Sequence, residues 1–171
     1  FFIKANYEIS STVGTHEQQF NRLIEEVDSL IKKEVIKDKV IMQTGYCTYT
    51  PHFCEYKKYF SYSEMERYFR DADKVVCHGG PSTFMSVINQ GKIPIVVPRL
   101  LEYEEHVNNH QLEFARKVRE RGYPILLVEN ILELKKYLFE IDINIKKNIN
   151  EYKVTSNNVK FVTDFIDLLK N

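Results

Sequence analysis

The fold is decided by Val76-Cys77-His78-Gly79-Gly80-Pro81-Ser82-Thr83, followed by Gly91-Lys92-Ile93-Pro94-Ile95-Val96-Val97-Pro98. Lys74 to Cys77 reads as a strand stopped at Gly79-Gly80. Ser82 to Gln90 reads as a helix with Phe84, Val87 and Ile88 facing inward, closed by Gly91 on its C-terminal side. Ile93 to Val97 is a nearly continuous apolar run, the pattern of a strand covered on both faces. Strand, helix and strand at this spacing imply parallel strands joined by a right-handed crossover.

The same alternation extends both ways. Upstream, Tyr7 to Val13 reads as a strand that turns at Gly14. Thr15 with Gln18 has capping-box spacing. Phe20, Leu23, Ile24, Val27 and Leu30 then trace one face of a helix ending near Lys33. Val40 to Met42 is a short strand, Thr44 to His52 a loop, and Phe53 to Tyr56 a short strand. Ser63 with Glu66 repeats the capping-box spacing ahead of a helix bearing Met65, Tyr68, Phe69 and Ala72. Downstream, His106 to Arg121 is a helix closed by Gly122, and Ile125 to Val128 is a strand. Asn130 with Glu133 opens another helix, and Val159 to Leu169 forms one more. The fold class is α/β, a Rossmann-like parallel sheet with helices on both faces. Residues 1–171 read as one domain, with 1–6 set aside as a lead-in foreign to it or disordered.

Composition narrows the function. The 171 residues carry 24 Lys+Arg and 24 Asp+Glu, a formal net charge of zero, so binding to nucleic acid has little support. No apolar run approaches the roughly 20 residues that span a bilayer, and the first residues lack the long apolar core of a signal peptide. Three cysteines are too few for a disulfide framework, and the expectation is a reduced, cytoplasmic protein. The five histidines form no clean metal spacing with the cysteines.

Chemistry gathers at two strand-to-helix turns. In the first, Gly14-Thr15-His16, glycine lets backbone approach a ligand and a helix start offers unpaired N–H groups to a phosphate. Neither a dinucleotide fingerprint nor a Walker loop is present. His16 falls at the carboxyl end of a strand, where α/β sheets bind ligands, and could orient a diphosphate or accept a proton. In the second turn, Gly79-Gly80 lets the backbone bend against an anionic group. Gly80 is expected to need a positive φ. Ser82 and Thr83 bring hydroxyls and N–H groups to a helix start. Glu105-His106-Val107-Asn108-Asn109-His110-Gln111 adds a polar helix start. For each polar residue alone, a helix cap or a solvated surface is the alternative.

These residues carry a family resemblance. His78-Gly79-Gly80-x-Ser82-Thr83, Gly91-Lys92-x-Pro94-x-x-x-Pro98 and Asn109-His110-Gln111-Leu112-Glu113 resemble the C-terminal, donor-binding half of GT-B glycosyltransferases of the family 28 type. Val13-Gly14-Thr15-His16-Glu17-Gln18-Gln19-Phe20 resembles the small single-domain glycosyltransferases of bacterial capsule and exopolysaccharide clusters. Those are similar to the soluble subunit of the eukaryotic two-subunit enzyme that adds the second GlcNAc to dolichol-diphosphate GlcNAc.

The resemblance implies a UDP-sugar donor, with Gly79, Gly80, Pro81, Ser82 and Thr83 at its diphosphate and ribose. His78 belongs to the same motif. Gln111 would lie near the sugar or phosphates, and Gly14, Thr15 and His16 would face the diphosphate. No cofactor or metal is expected, because helix N-termini and side chains of such enzymes neutralise the leaving UDP. The wider family carries a ribose-binding Glu three residues after the matched Thr. Here that position is Ser86, which leaves Glu105 or Asn108 as candidates for the ribose.

A GT-B cleft has two walls and this chain supplies one. The resemblance therefore implies a membrane-anchored partner subunit that binds a lipid-linked saccharide acceptor and holds this chain at the inner face of the plasma membrane. Self-association is left open. Tyr46, Tyr49 and Phe53 cluster in or beside one loop and either face that partner or fold back onto the core. The expected function is the donor-binding, catalytic part of an inverting hexosyltransferase, with His16 as base or diphosphate ligand. The alternative is a non-catalytic module that binds nucleotide-sugars.

Overall fold

The computed structural model describes residues 8–139. Its six strands are β1 (Ile9–Thr12), β2 (Val40–Gln43), β3 (Glu55–Lys57), β4 (Lys74–His78), β5 (Ile95–Val97) and β6 (Leu126–Leu127). They form one sheet in the order β3-β2-β1-β4-β5-β6, and every pairing is parallel. This is the strand order of the dinucleotide-binding Rossmann sheet, in which the chain reverses its direction of travel between β1 and β4. The connecting helices are α1 (Asn21–Lys32), α2 (Tyr62–Asp71), α3 (Pro81–Asn89) and α4 (His110–Glu120).

All residues of β1, β2 and β5 are buried, because helices cover both faces of the sheet. On one face, Leu23, Ile24 and Val27 of α1 pack with Ile9, Val40, Met42 and Val97. On the other, Phe84 and Ile88 of α3 and Ala115 and Val118 of α4 pack with Cys77, Val96 and Leu127. Phe69 and Ala72 meet Val75 and Val87 beside them. β3 is exposed along its length at the sheet edge.

Several element boundaries differ from the sequence expectation. α1 begins at Asn21 rather than Thr15, without the capping box. The carbonyls of Val13, Gln18 and Gln19 instead accept hydrogen bonds from Arg99 at 2.8–2.9 Å, which holds residues 13–19 in an irregular loop. Gln19 Oε1 accepts from Asn21 N–H at 2.7 Å and satisfies one donor at the helix start. α2 is capped by Ser61 with Glu64, two residues before the expected pair. α4 begins at His110 rather than His106, with the intervening residues in bends. The strand expected over Ile93 to Val97 starts at Ile95, after Pro94, which has no N–H for the ladder. Asn130 does cap, accepting from Leu132 N–H at 3.1 Å. Residues 1–6 and the helix expected over Val159 to Leu169 lie outside the described residues.

The three cysteines are free thiols. Among the described residues, no helix is long and apolar enough to cross a membrane. Tyr49 folds back, its hydroxyl donating to buried Asp28 at 2.7 Å, whereas Tyr46 and Phe53 are 46% and 49% exposed.

Arg99 is fully buried, donating also to Glu105 O and stacking over the Phe20 ring. Arg99→Met should strand the carbonyls of Val13, Gln18, Gln19 and Glu105 and lower unfolding free energy by about 3 kcal/mol. Urea denaturation followed by circular dichroism tests this, and an unchanged midpoint would contradict it.

Candidate functional site

A cleft of about 730 Å³ opens over the carboxyl ends of β1, β2 and β4, at the switch point of the sheet. Thr12, Gln43 and His78, the last residues of those strands, form its floor. Gly14, Thr15 and His16 line one side, and Ser82, Thr83 and Gln111 another. The apolar wall is Phe60, Tyr62, Met65, Phe69 and Met85, with Glu66, Ser86 and Asn89 among them. The size suits a small-molecule ligand.

His78 organises the second turn. Its Nδ1 accepts from Gly80 N–H at 3.0 Å, so a neutral ring carries its proton on Nε2, 3.0 Å from Thr83 Oγ1. Burial, with Arg99 and His16 nearby, lowers the His78 pKa to about 3, so the ring is neutral at pH 7. Thr83 Oγ1 thus accepts from His78, and its own proton is available to the cleft. Gln111 has the same logic. Its Oε1 accepts from Gly79 N–H and Arg99 N–H, each at 3.1 Å, which leaves the amide NH₂ as donor. His16 Nδ1 accepts from Gln18 N–H at 3.2 Å, so its free nitrogen carries the proton. Burial, then Arg99 and His106, lowers the His16 pKa and favours this neutral form. Ser82 N–H at the start of α3 has no partner among the described residues. Three side chains that each already accept a hydrogen bond inside the protein, and one helix N–H, therefore offer donors to a single cleft, an arrangement complementary to an anion.

The glycines serve this geometry differently than expected. Gly80 has φ −71°, not a positive value. A Cβ at Gly80 would strike the His78 ring, as would one at Gly14, whose φ is +74°. A Cβ at Gly79 would lie 2.9 Å from Gln111 Cβ and 3.2 Å from Pro98 Cα. The N–H groups of Gly79 and Gly80 are engaged by Gln111 and His78, so the donors left at this turn belong to Ser82 and Thr83.

Two expected ribose ligands are engaged inside the fold. Glu105 is fully buried, paired with Arg22 at 2.8 Å and accepting from Leu100 N–H at 3.0 Å. Asn108 Oδ1 accepts from His110 N–H at 3.1 Å. Neither lines the cleft, nor do Gly79, Gly80 and Pro81. Sequence reasoning missed Glu66, which reaches from α2 to accept from Ser86 Oγ and, at 2.9 Å, from Gln90 Nε2. It also missed His106, whose ring lies 4.8 Å from that of His16. The one local signal for Glu66 is the overlap of Ser61-x-x-Glu64 with Ser63-x-x-Glu66. Only one pair can cap the helix, and the other carboxylate is then free. Asp71-Ala72-Asp73 has Asp-x-Asp spacing, but it ends α2 at the amino edge of the sheet, away from the cleft, with Asp71 paired to Arg70. Among the described residues, no three His, Cys, Asp or Glu side chains converge as a metal-ligand group.

The family model for the glycosyltransferase family 28 C-terminal domain matches residues 9–169. The chain belongs to that family. Its fold is that of the family's GT-B transferases, and its role is of the donor-binding kind. Among solved structures, this family 28 domain is similar to the glycotransferase of kitacinnamycin, with a TM-score of 0.58 and 15% identity over 82% of this chain and 36% of that one. It also matches the glycosyltransferase SnogD from Streptomyces nogalater, with a TM-score of 0.45 and 11% identity over 84% and 40% of the two chains. The family 28 domain thus spans well under half of each of these proteins. A search of curated proteins returned no match.

The His78 pKa has a consequence for stability. The folded protein holds the ring neutral down to about pH 3, whereas the unfolded chain takes up a proton near pH 6.5. The contribution is complete above pH 6.5 and is lost as pH falls toward 3, by up to about 1.4 kcal/mol per pH unit. His78→Gln should be less stable at pH 7 but show a shallower decline between pH 6 and 4 in chemical denaturation. An unaltered slope would mean that the ring does not stay neutral.

Proposed function

We propose that the cleft binds the diphosphate of a UDP-sugar and that this chain is the donor-binding, catalytic subunit of an inverting hexosyltransferase. The observation that carries this is the set of donors from His16, Ser82, Thr83 and Gln111 around one cleft at the switch point of the sheet. A diphosphate only accepts hydrogen bonds, and each of these groups has one to donate. The apolar wall of Phe60, Met65, Phe69 and Met85 beside them suits the flat parts of a nucleotide.

In the reaction, an acceptor hydroxyl attacks the anomeric carbon as the bond from that carbon to the diphosphate oxygen breaks. The electron pair leaves with UDP, and the donors compensate its charge as it develops. The hydroxyl proton passes to a base. His16 carries its own proton on the nitrogen that Gln18 leaves free, which favours the diphosphate role. The base is then assigned to the partner.

The acceptor is a lipid-diphosphate saccharide in a pathway of the capsule or exopolysaccharide type, presented by a membrane-anchored subunit. Supporting this is the resemblance of the Val13–Phe20 segment to such subunits. The test is a panel of UDP-sugars with the chain alone, and with the chain plus a candidate partner, on a lipid-diphosphate sugar. Transfer that needs both chains supports the proposal. UDP-sugar binding without transfer in either condition favours the non-catalytic module. His16→Ala should lower turnover roughly 10²–10³-fold, the scale of one lost oxyanion donor, with circular dichroism unchanged.

Tyr46 and Phe53 are the exposed aromatic residues of the 44–53 loop segment and are assigned to the partner contact. Tyr46→Ser with Phe53→Ser should weaken co-purification with the partner and leave UDP affinity intact. Undiminished co-purification would remove the loop from the interface.

A further inference from the structure

Glu66 has a role that neither helix capping nor the diphosphate accounts for. Its helix is capped by Ser61 and Glu64, so Glu66 is not needed at the N-terminus of α2. It instead crosses to α3, where Ser86 Oγ donates to one carboxylate oxygen and Gln90 Nε2 to the other at 2.9 Å. Two donors fix the plane of the carboxylate. Each oxygen still has acceptor capacity, because a carboxylate can accept about four hydrogen bonds. Glu66 is half-buried and is the one carboxylate among the residues lining the cleft.

Its position along α3 matters. Ser82 and Ser86 are four residues apart and share one helix face, about one 5.4 Å turn from each other. A group bound by Ser82 and Thr83 at the start of α3 therefore has its next moiety beside Ser86 and the Glu66 carboxylate. That step is the reach from a 5′-phosphate across a pentose ring to its vicinal hydroxyls. Two adjacent hydroxyls donate two parallel hydrogen bonds, and a planar carboxylate accepts two.

We infer that Glu66 of α2, oriented by Ser86 and Gln90 of α3, holds the vicinal 2′,3′-diol of the nucleotide's ribose. The inference rests on the nucleotide reading of the cleft. It makes the gap between α2 and α3 the subsite that separates ribonucleotides from deoxyribonucleotides. A deoxyribose leaves one carboxylate oxygen without its donor.

Calorimetric titration of the full chain with UDP and with 2′-deoxy-UDP tests this. The wild-type protein should prefer UDP by about 10–100-fold, the value of a hydrogen bond to a charged acceptor. Glu66→Gln should lower UDP affinity and bring the preference close to one, while 2′-deoxy-UDP affinity changes little. A purely structural role for Glu66 would weaken both ligands equally and overturn the inference. So would equal binding of the two nucleotides by the wild-type protein, which would leave the nucleotide reading standing. Absence of binding to either nucleotide by the wild-type protein overturns both. If Glu66→Gln does not fold, Glu66→Asp serves the same comparison, since it retains the charge but retracts it by one methylene. Retention of the full preference by Glu66→Asp would count against the inference.

Discussion

The guanidinium of Arg99 is the interaction on which the rest of the site depends. It sits fully buried just after β5 and gathers carbonyls from the loop after β1 and from Glu105. Gln19 Nε2 adds a direct tie between these segments, donating to Tyr103 O at 3.0 Å. A buried cation is costly unless its hydrogen bonds are met, so the surrounding loops are obliged to keep their shape. Arg22 and Glu105 form a second tie between α1 and the chain after β5, through a bidentate pair. His16 and Gln111 reach opposite sides of one cleft because both side chains are tied to this residue: the His16 ring accepts from the N–H of Gln18, whose carbonyl Arg99 binds, and Gln111 Oε1 accepts from the Arg99 backbone N–H.

Around that centre, three polar side chains at the cleft, His16, Thr83 and Gln111, follow one rule. Each spends its acceptor inside the protein and keeps its donor for the cleft. His78 is the pivot of this arrangement, because a neutral ring can receive Gly80 N–H on one nitrogen and serve Thr83 with the other. The neighbouring glycines exist in large part to make room for it. Their scarcity of atoms is used by a side chain of the protein, not left open for the ligand.

Much of this was legible in the sequence where the signal is local. The run Ile95-Val96-Val97 declares a strand buried on both faces, and Phe84, Val87 and Ile88 declare the inner face of α3. Gly14, Thr15, His16, Ser82, Thr83 and Gln111 could be named because they follow strand ends or open helices, and all but Gly14 and Thr15 have donors now visible at the cleft. Contacts between distant segments were not legible. Nothing near Arg99 announces that it will bind Val13, and nothing near Glu66 announces Ser86, twenty residues away in sequence. The cap of α2 was misassigned for a definite reason. Two Ser-x-x-Glu spacings overlap, and tertiary contact with α3 decides which glutamate stays at the helix start.

The sheet order carries a consequence for how a nascent chain acquires this site. β1 lies in the middle of the sheet, yet one of its two neighbours is β4, with Ile9 opposite Lys74. As the chain emerges from the ribosome, β1 can pair with β2 but keeps its other edge unpaired until β4 has been synthesised. Pairings of such long sequence separation require a large loop to close before any contact compensates, which slows folding and leaves strand edges exposed to other chains. The carbonyls of Val13, Gln18 and Gln19 wait longer still, for Arg99. The cleft therefore belongs to no fragment of the chain: it comes into being only when residues 9 to 111 are all available to fold together.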